Sequence, residues 1–269
     1  MAKLTEEKRK VYNEQIASYQ QQIDALLISE KNMLMLLEKD SSGAAYKKLI
    51  LTDDMLYLST LYLAKHSVSV SILGIKNEDA LNDARKTLYK AVIYLEEVVS
   101  NYIDVPYSDY ADKVDEIKNL PESKRYYLIR KLGLAIRLVT DAYGDNTKWR
   151  WTFVELEARF ATVAKNILDL KTASKDGLDP HSPDYDDTVY HLRLVKRLLQ
   201  QAADRYREKY ELSTGRIDDF RLGINYLLAL RRIHLILNER AEADEAKRKA
   251  EIWQEKMEKD HKKTESRKK

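Results

Sequence analysis

The scarcity of turn-forming residues is the feature that most restricts the fold. The 269-residue chain contains 7 glycines and 4 prolines. So few chain-breaking residues allow few turns, and few turns over this length require long elements. Long strands are rare, whereas long helices are common. The sequence therefore predicts an all-α fold, an elongated or bent bundle of about seven helices with long first and last helices.

Apolar periodicity and terminal signals place the helices along the chain. Gly74 interrupts the pattern, and Asn77 is the predicted N-cap of the next helix. The run "SVSVSIL" at 67–73 alternates like a strand, but no partner strand is evident elsewhere, so a helix is favoured. The predicted helices cover 5–39, 44–73, 78–102, a short segment ending near 119, 122–143, 147–172, 184–212 and 217 to beyond 260, and the longest loop is 173–187.

One stretch departs from this helical pattern. The sequence "NYIDVPYSDYADKVDE" at 101–116 places three tyrosines and four aspartates around one proline. It could be a solvated elbow, a docking surface or the rim of a cleft. We predict an N-terminal helical bundle at 1–102, an acidic, tyrosine-rich elbow at 103–121 and a C-terminal bundle with a charged terminal helix at 122–269.

Motifs for catalysis are missing from the sequence. The chain has no cysteine, which excludes disulfides, zinc–thiolate sites and cysteine nucleophiles. Its glycines are too scattered to form a phosphate-binding loop, and no serine lies in a G-x-S-x-G setting. We therefore expect a protein that is not an enzyme and that uses no cofactor.

Tyrosine is unusually frequent relative to phenylalanine, with 18 tyrosines against 3 phenylalanines. Tyrosine suits positions that are apolar on one side and wet on the other, because a buried hydroxyl needs a hydrogen-bond partner. A thin helical bundle has many such positions, and so does a surface covered by partner proteins. Both explanations remain open at this point.

Two aromatic clusters are the candidate partner-binding residues. In the elbow, acidic and aromatic side chains alternate, and a basic partner surface could face them; alternatively, the tyrosines fold back onto their neighbours. In "KWRWTF", the two tryptophans cannot share one helix face, and the outer one beside an arginine could anchor a partner or simply pack. The candidates are Tyr102, Asp104, Tyr107, Asp109, Tyr110, Trp149, Arg150 and Trp151.

Two further possibilities rest on charged residues. The weak metal candidates are Asp179, His181, Asp187 and His191, because Asp187 and His191 are four residues apart and share a helix face. A solvated acidic loop with helix caps explains them more simply and is favoured. The basic face 193–209, together with the basic C-terminal tail, allows a nucleic-acid-associated protein as the alternative function, although interspersed acidic residues favour a solvated face.

The run "SVSVSILGIKNEDALNDARKTLYKAVIYLEEVVSNYIDVPYSDY", residues 67–110, resembles helical proteins of spirochaete flagellar sheaths, in particular the flagellar-coiling protein family. The resemblance implies a bent, helical, non-enzymatic protein. Such a protein coats a flagellin core, contacts other sheath subunits in the periplasm and is required for filament shape and motility.

We therefore expect a structural or assembly protein that binds other proteins laterally, with no small-molecule substrate and no membrane insertion. The most apolar run, 224–237, is too short to span a bilayer. The stretch "MAKLTEEKRKVYNEQ" has no apolar run typical of a signal peptide. A periplasmic location therefore requires a processed form, and an unprocessed chain is expected in the cytoplasm.

Overall fold

The chain is helical throughout the part that the computed structural model describes, residues 6–144 and 147–266, with side chains described up to residue 262. This confirms the all-α prediction, although the predicted number of about seven helices is too low. No helix within these ranges is long and apolar enough to cross a membrane. The ten α-helices of these ranges are α1 (Glu6–Lys39), α2 (Ala44–Val68), α3 (Glu78–Val99), α4 (Ala111–Glu116), α5 (Glu122–Tyr143), α6 (Arg150–Asn166), α7 (Leu170–Asp176), α8 (Tyr185–Lys209), α9 (Ile217–Ile236) and α10 (Arg240–Ser266).

Two predicted helices are each divided into two. The predicted helix at 147–172 becomes α6 and α7, and the Asp169 side chain caps α7 by accepting hydrogen bonds from the backbone N–H groups of Lys171 and Thr172. The predicted last helix divides into α9 and α10 at Asn238, whose φ is 59°. A left-handed residue cannot continue a right-handed helix, and asparagine tolerates that conformation better than most residues.

The alternating run at 67–73 is helical, as predicted. After α2 the chain widens into a π-helical turn over Ser69–Leu73 and ends at Gly74, whose φ is 66°. The same arrangement follows α8, where a π-helical turn over Tyr210–Thr214 ends at Gly215 with φ 57°. Glycine adopts this left-handed conformation without the steric cost that other residues bear.

The chain packs as two units that interleave along the sequence. Unit 1 comprises Met1–Val98 and Leu128–Thr147, and unit 2 comprises Val99–Tyr127 and Lys148–Lys269. The whole elbow at 103–121 therefore belongs to unit 2. The predicted bundles 1–102 and 122–269 are contiguous, whereas these units are not, and the predicted division into domains stays a prediction.

Unit 1 has its core between α2, α3 and α5. These helices contribute large side chains with 0–1% exposure, namely Leu51, Met55, Leu58, Leu81, Leu88, Leu95, Ile129 and Leu132. The long helix α1 contributes far less, because only Ile23 and Glu30 of its 34 residues are buried. A helix that buries so little is held by few contacts relative to its length.

Glu30 is the buried carboxylate that fastens α1 to α3. It accepts a hydrogen bond of 2.6 Å from the Tyr94 hydroxyl. Its two oxygens also lie 2.9 and 2.8 Å from the Lys90 amine. A buried charge is tolerated when it is paired and hydrogen-bonded in this way.

Unit 2 is organised around the second half of α6, which is buried on every side. All seven residues from Phe160 to Asn166 are buried, including Thr162, Lys165 and Asn166. A helix buried all round has no solvent-facing side on which polar groups can be hydrated. Its polar side chains must therefore find partners inside the unit.

Replacing Glu30 with alanine tests the link between α1 and α3. We expect Glu30→Ala to lower the free energy of unfolding by ~1–3 kcal/mol, because the Tyr94 hydroxyl and the Lys90 amine lose their acceptor. Glu14→Ala, on an exposed part of the same helix, is the matched control and should change stability by less than ~0.5 kcal/mol. Urea denaturation measures both, and equal effects of the two variants would contradict the role of Glu30.

Candidate functional site

A cleft of about 340 Å³ lies in unit 2 between residues 103–110 of the elbow, residues 165–170 and residues 229–236 of α9. We call it the elbow cleft. Apolar side chains make up most of its wall, among them Ile103, Val105, Leu170, Ile233, Leu235 and Ile236.

The elbow cleft has a buried floor and an exposed rim. On the floor, Leu170, Ala229 and Ile233 are 3%, 1% and 1% exposed. On the rim, Leu235 and Ile236 are 48% and 40% exposed. The cleft therefore reaches solvent along the end of α9 and becomes dry towards α6.

Lys165 brings a buried amine to this floor. Its side chain is 3% exposed, and Nζ lies 3.5 Å from the Tyr110 hydroxyl and 4.8 Å from the centre of the Tyr110 ring. Among the described residues, no carboxylate forms an ion pair with Lys165, because the nearby Asp104 is paired with Arg232. The amine therefore rests on an aromatic face instead of a counter-ion.

Burial sets the protonation of Lys165. The net pKa of the amine is lowered to about 7, because removal from water lowers it strongly, Asp104 partly opposes this shift and Arg232 adds to it. A buried lysine loses its charge more readily because the interior solvates the ammonium ion poorly. Near neutral pH, Lys165 therefore exchanges between its charged and neutral forms.

Asn166, the next residue of α6, holds the beginning of the elbow. Its Nδ2 donates hydrogen bonds to the Ser100 carbonyl and hydroxyl oxygens, both at 3.0 Å, and to the Tyr102 carbonyl at 3.1 Å. Ser100 has φ 92°, in the left-handed region that residues other than glycine rarely adopt. The three bonds from Asn166 fix the chain where it leaves α3.

Two further contacts fasten the elbow over the cleft. Asp104 pairs with Arg232 of α9, and the Tyr107 hydroxyl donates a hydrogen bond of 2.9 Å to Asp169. Although burial raises the pKa of Asp169, hydrogen bonds from Thr172, Tyr107 and the backbone hold it below its usual range. Asp169 therefore remains an ionised carboxylate. It caps α7 and accepts the hydrogen bond from the Tyr107 hydroxyl at the same time.

The structure places the predicted elbow residues in different environments. Tyr110 is buried, Asp104 and Tyr107 are half-buried, and Tyr102 and Asp109 are exposed. Burial raises the pKa values of the Tyr107 and Tyr110 hydroxyls, and their rings meet edge to face at 5.3 Å. Tyr107 and Tyr110 fold back onto their neighbours and line the cleft, whereas Tyr102 does not; the role of all five residues in binding a partner protein stays a prediction.

The tryptophan cluster at the start of α6 has the predicted pairing of cation and ring. The Arg150 guanidinium lies 4.8 Å from the centre of the Trp151 ring and forms an ion pair with Glu208. Trp149 and Trp151 are both half-buried. Partner binding by Trp149, Arg150 and Trp151 stays a prediction.

The weak metal candidates are not brought together. His191 is fully buried, with Nδ1 2.5 Å from Glu122 Oε1 and Nε2 3.0 Å from the Ala164 carbonyl oxygen. Asp179 accepts a hydrogen bond from the backbone N–H of His181. In the described ranges, no group of three or more His, Asp or Glu side chains could hold a metal ion.

The basic face at 193–209 is largely neutralised within unit 2. Four of its cations form ion pairs with carboxylates, which joins α8 to neighbouring helices and leaves fewer charges for a phosphate backbone. These pairs are Lys196–Glu239, Arg205–Glu157, Arg207–Glu211 and Lys209–Asp219. The side chains of 263–269, part of the basic tail, lie outside the described residues.

Lys165, Arg232 and Asp169 belong to the site but were not singled out in the sequence. One signal points to Lys165: it lies in "RFATVAKNIL", where most neighbouring residues are apolar. A lysine in a mostly apolar helical run is a candidate for burial. No comparable signal links Arg232 to the elbow, which is more than a hundred residues away in the sequence.

Comparison with known proteins identifies a family. The model of the TP0443 family matches residues 8–261, which span the elbow and both units. The family is named after a Treponema protein, which fits a spirochaete origin. Neither the comparison with curated proteins nor that with solved structures gives a match.

The lowered pKa of Lys165 predicts a pH-dependent stability. In the unfolded chain the amine titrates near its ordinary value, so from pH ~7 to ~9 the unfolded state binds more protons and stability rises with pH. Relative to Lys165→Met, the wild type should gain about 2 kcal/mol across this window. Urea denaturation at several pH values measures it, and parallel profiles for the two proteins would contradict the buried position of the amine.

Proposed function

We propose that this chain, which belongs to the TP0443 family, is a non-enzymatic assembly protein that binds neighbouring copies of itself laterally through α1 of unit 1. One observation carries the proposal: α1 has an apolar stripe on the face opposite the one that packs.

The packed face of α1 follows a spacing of three and four residues. Its members are at most half-exposed, and they repeat along the whole helix as in a helix that packs against a neighbouring helix. They are Tyr12, Ile16, Tyr19, Ile23, Leu26, Glu30, Met33 and Leu37. This one stripe accounts for the attachment of α1 to unit 1.

The opposite side of α1 carries apolar residues that nothing within the described chain covers. Ile28, Met35 and Leu36 are 61%, 43% and 55% exposed. Ile28 and Met35 are seven residues apart, so at 3.6 residues per turn they lie on one face, about half a turn away from the packed stripe. Leu27 and Leu34, which are 37% and 36% exposed, lie between the two faces.

Covering these side chains would stabilise an interface appreciably. Complete burial of an Ile, Leu or Met side chain contributes roughly 1.5–3 kcal/mol relative to full exposure. Three side chains that are about half-exposed would together contribute on the order of 3 kcal/mol for each copy. This free energy would be a substantial part of that of a weak lateral contact. An assembly gains its strength because the same contact is repeated along it.

A second copy of α1 fits this face in an antiparallel arrangement. When Ile28 of one copy lies opposite Met35 of the other, two such pairs form the centre of the contact. The same register places the Asp24 carboxylate opposite the Lys39 amine, an attractive pair at each end of the contact. Such an interface is self-complementary, as a two-fold contact between identical subunits requires.

Unit 1 is also the more apolar of the two units at its surface. Among the described residues, 21 large hydrophobic side chains are exposed, and 13 of them belong to unit 1. Five of those 13 lie within residues 27–36 of α1. Concentration of exposed apolar residues in one segment marks an interaction site, whereas scattered single residues do not.

A flagellar sheath is the specialised form of this proposal. It is supported by the resemblance of residues 67–110 to the flagellar-coiling protein family and by the spirochaete origin that the family name suggests. In that form the protein coats the flagellin core in the periplasm, and α1 joins neighbouring sheath subunits. Immunogold labelling of the source organism should then decorate periplasmic flagella, and label confined to the cytoplasm would exclude the sheath.

The contact through α1 predicts self-association that two substitutions remove. We expect the wild type to show concentration-dependent dimers or larger species in sedimentation velocity. Ile28→Glu combined with Met35→Glu should leave a monomer, because each copy would bury two charges. The matched control is Ile50→Glu with Ile93→Glu, which makes the same chemical change at exposed positions of α2 and α3 and should leave self-association intact.

The register can be checked because the chain has no cysteine. Mixing the Ile28→Cys and Met35→Cys proteins should give a disulfide-linked pair, and each protein alone should cross-link much less. A wild type that sediments as a monomer up to ~100 µM, where even a weak contact of about 5.5 kcal/mol would be half-formed, contradicts the proposal.

A further inference from the structure

The elbow cleft combines an apolar wall with a buried amine that has no counter-ion. Lys165 has only Tyr110 as a partner among the described residues, and it faces the floor formed by Leu170 and Ile233. A buried ammonium is tolerated best beside an anion. The face of the Tyr110 ring stabilises the charge of the Lys165 ammonium only in part. The cleft has room for an anion that would balance this charge.

We propose that the elbow cleft binds a small monocarboxylic acid with an apolar body, whose carboxylate pairs with Lys165. The proposal concerns unit 2 and is independent of the self-association of α1.

The charge of the cleft selects one carboxylate. Lys165 supplies a single positive charge, since the charge of Arg232 is balanced by Asp104. A dianion such as a phosphate monoester would keep a negative charge without a partner in a dry site, which is unfavourable. A neutral ligand would leave the ammonium without a counter-ion.

The size and lining of the cleft select a small apolar body. Its volume of about 340 Å³ is near the lower end of the range for ligand pockets, roughly 300–1,000 Å³. Beyond Lys165, most of the side chains that line the cleft towards solvent are apolar, among them Ile233, Leu235 and Ile236, and the polar Arg232 is already paired with Asp104. A short aliphatic chain matches this path from the floor to the rim.

Binding should depend on pH through Lys165. The ionisable groups around the amine are Tyr110 on the elbow and the pair of Asp104 and Arg232, and burial of the amine lowers its pKa to about 7. A carboxylate binds the charged amine, so binding draws a proton onto Lys165 when the pH exceeds that value. Affinity should therefore fall at least about tenfold between pH 6.5 and 8.5.

The test measures the binding of octanoate, the probe, to the full chain by isothermal titration calorimetry. Octanoate should bind the wild type, and Lys165→Met should weaken binding at least tenfold. Octanamide, which has the same body without the charge, should bind both proteins equally weakly. Lys175→Met is the matched control on the exposed surface of α7 and should bind octanoate like the wild type.

A second variant keeps the test decisive if Lys165→Met does not fold. Leu235→Glu places a carboxylate on the exposed rim, where a charge is compatible with folding, and it should repel octanoate and weaken its binding at least threefold. Failure of the folded wild type to bind octanoate overturns the proposal. Unchanged affinity in folded Lys165→Met, or in Leu235→Glu where that variant alone folds, overturns it as well.

Discussion

The burial of the second half of α6 on every side is the constraint on which the rest of unit 2 depends. A helix in that position cannot hydrate its polar side chains, so each one must find a partner on another segment. Thr162 lies 3.0 Å from the Tyr226 hydroxyl of α9, Asn166 holds the start of the elbow, and Lys165 faces Tyr110. The elbow and its cleft are thus positioned by the polar groups of α6 and by apolar packing together.

The same requirement explains why tyrosine replaces phenylalanine so often. Tyrosine hydroxyls connect elements within each unit, as in Tyr94 with Glu30, Tyr107 with Asp169, Tyr143 with Asn82, Tyr210 with Asp260 and Tyr226 with the Ala158 carbonyl. In each case the ring packs while the hydroxyl donates to an acceptor on a different segment. Hydrogen bonding within each unit therefore accounts for these five tyrosines, and the contact surface proposed for unit 1 uses aliphatic residues instead.

Local signals in the sequence predicted the helices well but not their interruptions. Asn77 caps α3 as predicted, since its Oδ1 accepts a hydrogen bond of 3.0 Å from the Ala80 N–H, and Gly74 ends the preceding turn. The break at Asn238 was missed, because asparagine occurs within helices as well as at left-handed positions. Periodicity alone cannot distinguish these two cases.

The candidate site was predictable only in part. The composition of residues 101–116 identified the elbow as unusual, but its partners lie on α6 and α9, and a single sequence contains no information about which distant residues meet. Lys165 could have been noticed, because a lysine within a mostly apolar helical run is a candidate for burial. That Lys165 faces a cleft is evident only from the way the elbow, the end of α6 and α9 come together in the structure.

The most direct test of this account is the titration of the Lys165 amine itself. NMR spectra of protein labelled at its lysine side chains, with the Lys165 signal assigned by its absence from Lys165→Met, would follow the amine from pH 5 to 11. The buried position on Tyr110, with no carboxylate in an ion pair with the amine, predicts a pKa of about 7. A titration near the ordinary lysine value of about 10.4 would show a hydrated or ion-paired amine and contradict the dry interior described for unit 2.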